Sequence, residues 1–276
     1  MPPDTRHTEW HTQWVYFNPF ASDIMTSPEL QVLFDSPALR IACRPSEVET
    51  DRTVVAFAGV QGAFGGIPVA EFAGALGRSP MPHDAVFVVD KTRGWYNTTA
   101  PDIEAVIAPR LAGRRVVTLG NSMGGFGALL FGERLGAESA LAICPQYAIG
   151  ADLVPFETRW RDFAAAIPVF RHPACLPDRS AGGTTRLVLV GADDETDMAH
   201  ARLIRDRLDA EDGLFVLKGC GHDVAPALKR SGALAAVLDA VLAPGGGRDA
   251  VAAALGAAAL DYRLWANGAS DASKSG

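Results

Sequence analysis

The chain has 276 residues, of which 48% are hydrophobic, and a formal charge of −7 at neutral pH. This length and apolar content suit one large folded domain and argue against disorder. The net negative charge and the scattered basic residues give no general attraction to nucleic acid or to an anionic membrane, so neither partner is expected.

The first residues and the cysteines indicate the compartment. Residues 1–7 lack the apolar core of a signal peptide, and the uncharged stretch 53–70 is interrupted by glycine and proline, so we expect no membrane-spanning helix. The cysteines show no spacing typical of a metal site or a redox pair; they are Cys43, Cys144, Cys175 and Cys220. We therefore expect a cytoplasmic protein with reduced thiols, no metal and no cofactor.

Strands and helices are predicted to alternate along most of the chain. Two short strands come first, at 30–34 and 39–43. The later predicted strands are 54–57, 85–89, 115–119, 140–144, 187–190 and 214–217, and the predicted helices include 69–76, 102–111, 198–208 and 225–242. Continuous apolar strands separated by helices indicate an α/β fold, a mostly parallel central sheet with helices on both faces.

Two segments depart from this alternation. Residues 145–183 contain five prolines, which predicts a small cap insertion. Its large apolar residues recur every three or four positions, as on one helical face; they are Phe156, Trp160, Phe163, Ile167 and Phe170. Residues 244–276 predict a helical and partly disordered C-terminal tail. The chain thus divides into a domain at 1–243, with the cap at about 145–183, and this tail.

The strongest functional signal is the turn after the strand at 115–119. Gly120-Asn121-Ser122-Met123-Gly124 fits the G-x-S-x-G nucleophile elbow. A strand that runs straight into a helix leaves no room for side chains two positions either side of Ser122, which favours glycine there. We expect Ser122 to have a strained backbone, an exposed hydroxyl group and the Met123 N–H beside a developing oxyanion.

With two later loops, this elbow makes residues 54 to 242 resemble the α/β-hydrolases. The strand at 187–190 is followed by Gly191-Ala192-Asp193-Asp194, and the strand at 214–217 is followed by Gly219-Cys220-Gly221-His222. The family orders its triad as serine, acid and histidine, and these loops have that order. The resemblance implies an α/β-hydrolase fold, with Ser122 as nucleophile and His222 as general base.

Three carboxylates compete for the place of the triad acid. Asp194, three residues after Gly191, fits the usual position, and Asp193 and Asp197 are the alternatives. Only one of them can accept a hydrogen bond from the far ring nitrogen of His222 and fix its tautomer. The others are expected to be solvated or to cap the next helix, and His200 in that helix is expected to face solvent.

Two further loops supply the remaining candidates. The second oxyanion N–H is expected after the strand at 54–57, at Val60 or Gln61, although this loop lacks the HG or HGGG motif of many esterases and lipases. Ligands of open α/β sheets bind outside the carboxyl ends of the strands. The candidate substrate-binding residues are therefore Asp90, Arg93, Trp95 and Tyr96 after one strand, with Trp160 in the cap.

The predicted activity is hydrolysis of a carboxylic ester through an acyl-enzyme on Ser122. Residues 90–96, the GNSMGG elbow, 145–149 and 155–160 together also resemble bacterial proteins related to the accessory-secretion glycan O-acetyltransferases, which implies acyl transfer to or from a carbohydrate. The elbow alone is also similar to that of carbon–carbon bond hydrolases, which usually carry an HG motif. The substrate is expected to be a small-molecule or glycan ester. The alternative to an enzyme is a non-catalytic scaffold that has this fold and binds a partner.

Overall fold

The computed structural model describes residues 30–61, 69–176 and 183–265, together with the backbone of 272–274. Ten strands form one sheet in the order β1-β2-β4-β3-β5-β6-β7-β8-β9-β10. The strands are β1 (Gln31–Asp35), β2 (Leu39–Arg44), β3 (Arg52–Phe57), β4 (Asp84–Asp90), β5 (Arg115–Asn121), β6 (Ser139–Ile143), β7 (Thr185–Gly191), β8 (Gly213–Leu217), β9 (Tyr262–Trp265) and β10 (Ala272–Lys274).

The centre of the sheet is parallel and its edges are antiparallel. Strands β4, β3, β5, β6, β7 and β8 pair in parallel, whereas β2 runs antiparallel to β4, and β9 antiparallel to β8. The predicted α/β fold with a mostly parallel sheet is therefore confirmed. Because parallel strands share one carboxyl edge, the loops that follow β3, β5, β7 and β8 lie close to one another.

Helices cover both faces of the sheet. They are α1 (Ala73–Leu76), α2 (Ala100–Ile107), α3 (Met123–Arg134), α4 (Arg161–Ala165), α5 (Glu195–Arg205), α6 (Val224–Arg230), α7 (Ala233–Leu242) and α8 (Arg248–Ala257). Helices α2, α3 and α5 contribute to one buried cluster, with Ile103, Phe126 and Ile204. Helices α1, α6, α7 and α8 contribute to the other, with Leu76, Leu228, Val237 and Leu255. Each such side chain, fully buried, stabilises the fold by roughly 1.5–3 kcal/mol.

Three predicted helices are shorter or divided in the structure. The helix expected at 69–76 is confined to α1, because Phe72 has a positive φ of 67° and glycines at 74 and 77 are poor helix formers. The helix expected at 225–242 is two helices, divided at Gly232, whose φ is 79°. In the cap, α4 is only five residues long, so the apolar residues from 156 to 170 do not form one helical face. Pro155 and Pro168 bracket it.

Residues 244 to 265, which the sequence placed in a tail, pack against the same sheet. Helix α8 contributes Val251 and Leu255 to the second buried cluster. Strand β9 then pairs with β8, with Phe215 opposite Leu264. Among the described residues, no helix has both the length and the apolar character needed to cross a membrane.

Candidate active site

The elbow brings Ser122 out of β5 into α3 through a strained backbone. Ser122 has φ 56° and ψ −121° and stands at the N-terminal cap of α3. A Cβ added at Gly120 would lie 2.0 Å from the Gly124 carbonyl oxygen, and one at Gly124 would lie 2.1 Å from the Phe57 oxygen. This confirms the predicted collisions. Ser122 as a whole residue is only 6% exposed, so it is more buried than the expected projection into solvent implied.

His222 joins this serine to a carboxylate. Its Nε2 lies 3.0 Å from Ser122 Oγ, and its Nδ1 lies 2.6 Å from Oδ2 of Asp197. The ring stands in the loop between β8 and α6. Because the Asp197 carboxylate accepts the hydrogen of Nδ1, the neutral ring presents an unprotonated Nε2 to the serine.

The prediction that Asp194 accepts this hydrogen bond is wrong. The Asp194 carboxylate caps α5 and accepts from the backbone N–H of Asp197 at 2.8 Å. Asp193 is exposed to solvent. Asp197 lies within the first turn of α5 and is 1% exposed, and the direction of that turn brings its carboxylate to the His222 ring. The roles expected for Asp194 and Asp197 are therefore exchanged.

A cap arginine holds the other side of the same carboxylate. Arg159 donates from Nη2 to Asp197 Oδ1 at 2.9 Å and from Nη1 to Asp194 Oδ2 at 3.3 Å. It also pairs with Glu157 at 2.7 Å. Burial acts to raise the pKa of Asp197, but its hydrogen bonds and electrostatic interactions with His222 and Arg159 outweigh burial and lower that pKa. Asp197 is therefore held in its ionised form.

Beside this pair lies a second buried pair, which corrects the expectation that His200 faces solvent. His200 is fully buried, and its Nδ1 accepts from the Tyr147 backbone N–H at 3.2 Å. Nε2 therefore carries the hydrogen and lies 3.1 Å from Glu157. Burial acts to raise the pKa of Glu157, but its bonds to His200 and Arg159 lower it to about 2. These contacts fix the cap loop to α5.

The loop after β3 lies against the elbow and holds the expected oxyanion donors. A Cβ on Gly59 would lie 3.0 Å from the Asn121 carbonyl oxygen, so the two loops are adjacent. The Gly59 N–H already donates to Glu71 at 2.6 Å. In the ranges that the structure describes, no acceptor pairs with the backbone N–H of Met123, Val60 or Gln61. These three amides remain the candidates for an oxyanion site.

Glu71 bridges the same two loops. Besides the Gly59 amide, its carboxyl group lies 3.5 Å from Nδ2 of Asn121, the residue before the nucleophile. Burial raises the pKa of Glu71 to about 7, against the lowering effect of these two hydrogen bonds. Glu71 therefore titrates near neutrality, next to the expected oxyanion loop.

The structure divides the five predicted substrate-binding residues into two groups. Asp90 and Tyr96 are fully buried: Asp90 accepts four hydrogen bonds from its own loop, and the Tyr96 hydroxyl donates to the Ala58 oxygen at 2.7 Å. The prediction that these two bind substrate is wrong, because their polar atoms are already paired. Trp95 is also fully buried. Arg93 and Trp160 are partly exposed and remain predictions.

Arg93 and Trp160 belong to one aromatic group between the cap and the loop after β4. The Arg93 guanidinium lies 5.4 Å from the Phe163 ring centre. The Trp160 ring lies 6.2 Å from each of Trp95 and Phe163. The aromatic group therefore links the cap helix to residues close to the elbow.

Gln146 is a site residue that the sequence reasoning missed. It follows β6, is fully buried, and donates from Nε2 to Ser122 Oγ at 3.2 Å. Its Oε1 accepts from Trp95 Nε1 at 3.1 Å. A polar residue at the carboxyl end of a buried strand is the signal that would have found it.

Cys144 is the nearest other group with metal-binding chemistry. Its ligand atom and those of Asp197 and His222 lie within 4.8 Å of one another. Burial, together with the Asp197 charge, raises the Cys144 thiol pKa well above its usual value, and a metal ligand must be the thiolate. The protonated thiol, and an acid and base already bonded to each other, make this cluster a poor cation site.

The sequence matches no family model and no curated protein. The structure is similar to that of Thermogutta terrifontis esterase 2 phosphonylated by sarin, with a TM-score of 0.52 and 17% identity over 71% of this chain and 86% of that one. It is also similar to the capsule O-acetyltransferase of Neisseria meningitidis serogroup A, with a TM-score of 0.51 and 14% identity over 73% and 93%. At these identities the likeness shows a shared fold.

Proposed function

We propose that this chain, which has the α/β-hydrolase fold, is a serine hydrolase that cleaves a carboxylic ester through an acyl-enzyme on Ser122. The observation that carries the proposal is the continuous hydrogen-bonded line from Asp197 through His222 to Ser122, at 2.6 and 3.0 Å. Three side chains that are far apart in sequence meet in the donor–acceptor order that nucleophilic catalysis requires.

In the acylation half of the reaction, Ser122 Oγ attacks the ester carbonyl carbon while its proton passes to His222 Nε2. The carbonyl oxygen becomes an oxyanion, which the Met123 amide and an amide at Val60 or Gln61 stabilise. Asp197 stays ionised and stabilises the imidazolium. The intermediate then collapses, and Nε2 returns the proton to the departing alkoxide.

In the second half, the same groups act on water. His222 Nε2 takes a proton from a water molecule, whose oxygen attacks the acyl carbon on Ser122. The intermediate expels Ser122 Oγ, which recovers a proton from Nε2, and a carboxylic acid leaves. Each proton that moves is held by His222 or by the reactants, so the cycle closes with side chains and water.

Acyl transfer to a carbohydrate is the second candidate. In that reaction a sugar hydroxyl replaces water in the second half, and the triad performs the same steps. The likeness to the Neisseria capsule O-acetyltransferase, alongside that to the esterase, favours keeping this candidate. The partly exposed Trp160 supports it too, because a sugar ring packs well on an aromatic face.

A fluorophosphonate probe tests the proposed nucleophile. We expect folded protein to be labelled at one site, Ser122, as located by peptide mass mapping, and Ser122→Ala to be unlabelled. Ser46→Ala, at a serine in a distant loop, is the matched control and should label normally. Labelling of another residue, or no labelling of folded wild-type protein, contradicts the proposal and favours the non-catalytic scaffold.

Product analysis then separates hydrolysis from transfer. An acetyl ester with a labelled acetyl group is incubated with enzyme in the presence and in the absence of an oligosaccharide acceptor. The blank is the same ester in buffer without protein. Free acetate at an unchanged rate in both enzyme reactions indicates hydrolysis. Acetylated oligosaccharide, with a matching decrease in free acetate, indicates transfer.

A further inference from the structure

Gln146 contacts the proposed nucleophile in addition to its triad partner His222. Its side chain is fully buried directly beyond β6 and bonds at both ends, to Ser122 Oγ at 3.2 Å and to Trp95 Nε1 at 3.1 Å. Burying an amide costs free energy unless both its donor and its acceptor are paired. An apolar side chain would fill the same space without that requirement, so packing alone does not explain a glutamine here.

The Trp95 contact fixes which way the amide points. An indole Nε1 can only donate a hydrogen bond, so the oxygen of Gln146 must face Trp95 and its NH₂ group must face Ser122. This removes the usual ambiguity between the oxygen and nitrogen of a glutamine amide.

The direction of every hydrogen bond at the nucleophile follows. His222 Nδ1 donates to Asp197, which leaves Nε2 as an acceptor. Ser122 Oγ therefore receives a hydrogen bond from Gln146 and donates its own proton to Nε2. The hydroxyl group has one proton, and because Gln146 presents a donor, that proton does not point to Gln146 and is left to bond with His222 Nε2.

We propose that Gln146 is a catalytic residue, oriented by Trp95, that directs the Ser122 proton to His222. This inference rests on the proposed function. During attack, the Oγ–H bond breaks and the proton goes to Nε2 as the Oγ–C bond forms; Gln146 keeps both its amide protons. During release of the acid, the Oγ–C electron pair returns to Oγ, where the Gln146 N–H stabilises the developing negative charge until Nε2 returns the proton.

A double-mutant cycle on Gln146 and Trp95 tests this role. Gln146→Met keeps the volume and removes the donor, and we expect the rate constant for fluorophosphonate labelling per active site to fall about 10²-fold. Trp95→Phe leaves the amide free to rotate, and a loss of about tenfold is expected. The double variant should react no more slowly than Gln146→Met, because Trp95 acts through Gln146.

The controls separate catalysis from packing. Gln31→Met, on the exposed first strand, is the matched substitution and should leave the rate unchanged. Each variant is compared at equal active-site titre and with its melting temperature, and Trp95→Phe carries the test if Gln146→Met does not fold. Wild-type rates in the folded variants, or losses that multiply in the double variant and follow the melting temperature, overturn the inference. Failure of wild-type protein to label at Ser122 overturns the proposed function instead.

Discussion

The loops after β4 and β5 stand on either side of β3 at the same edge of the sheet, yet they use polar residues in opposite ways. Both contain non-glycine residues with positive φ, including Trp95 at 49° and Ser122 at 56°. After β5, the strained residue directs its hydroxyl group toward a base in another loop. After β4, Asp90 turns inward and accepts hydrogen bonds from the backbone of Thr92, Gly94 and Tyr96.

The contrast shows that position at a strand end does not by itself make a residue functional. A polar group that satisfies its own loop has no bonding capacity left for a substrate. One whose partners come from other elements, as at Ser122, is held in place and still carries a reactive atom. We therefore expect two kinds of effect from substituting carboxylates near these loops. Some substitutions should lower turnover, and others should lower the free energy of unfolding.

The largest effect is expected at the triad acid. Asp197→Asn should lower turnover about 10⁴-fold, because the amide donates to His222 and favours the wrong tautomer. Hydrolysis of an activated ester, compared at equal protein concentration and with the melting temperature, checks the result.

Asp194→Asn is the matched control for that substitution. Asparagine caps a helix about as well as aspartate, so activity and melting temperature should change little. If Asp194→Asn lost more activity than Asp197→Asn, the assignment of the triad acid to Asp197 would be overturned in favour of Asp194.

At Asp90 the loss should appear in folding. Asp90→Ala leaves the buried backbone amides of Gly94 and Tyr96 without their acceptor, which should lower the free energy of unfolding by about 3 kcal/mol. Urea denaturation measures this, with the exposed Asp152→Ala as control. The folded fraction should still label at Ser122. Normal stability combined with loss of labelling would place Asp90 in the chemistry and remove the distinction between the loops.

A pH-dependent effect is expected at Glu71, which bridges the loops after β3 and β5. Burial raises its pKa from 4.5 to about 7, so folding favours the protonated form. Its contribution to stability is complete below about pH 4.5 and is lost as the pH rises through 7. Glu71→Gln should remove this pH dependence, whereas Glu47→Gln, at an exposed site, should retain it. Melting temperatures from pH 4.5 to 8 test this; a constant difference between wild type and Glu71→Gln would contradict it.

Much of the architecture was accessible from sequence because it depends on local patterns. Apolar runs separated by amphipathic segments predicted the parallel centre of the sheet, and Gly120 and Gly124 predicted the tight turn. Helix lengths were less accessible. The break at Gly232 needs a positive φ that an apolar pattern from 225 to 242 does not reveal.

The sequence predicted the site residues that have a fixed position in a motif, such as Ser122 and His222. It did not identify the acid, because the direction of the side chain decides which carboxylate contacts His222. Asp193, Asp194 and Asp197 lie within five positions, and the start of α5 at Glu195 determines which of them points to His222. Arg159 reaches the site through a contact between distant parts of the chain. Such contacts leave no spacing signature in a single sequence.

Strand β9, near the C-terminal end of the described residues, covers one edge of the parallel part of the sheet. The parallel part of the sheet ends at β8, whose residues are apolar. Without a neighbour, the backbone groups of β8 could pair with a strand of another chain, and β9 prevents this by antiparallel pairing with β8. The same pairing steadies the strand from which His222 emerges, with the Lys218 N–H donating to the Asp261 oxygen at 2.9 Å. A chain cut after residue 243 would therefore expose the unpaired backbone groups of β8 and remove a support of the loop that holds His222.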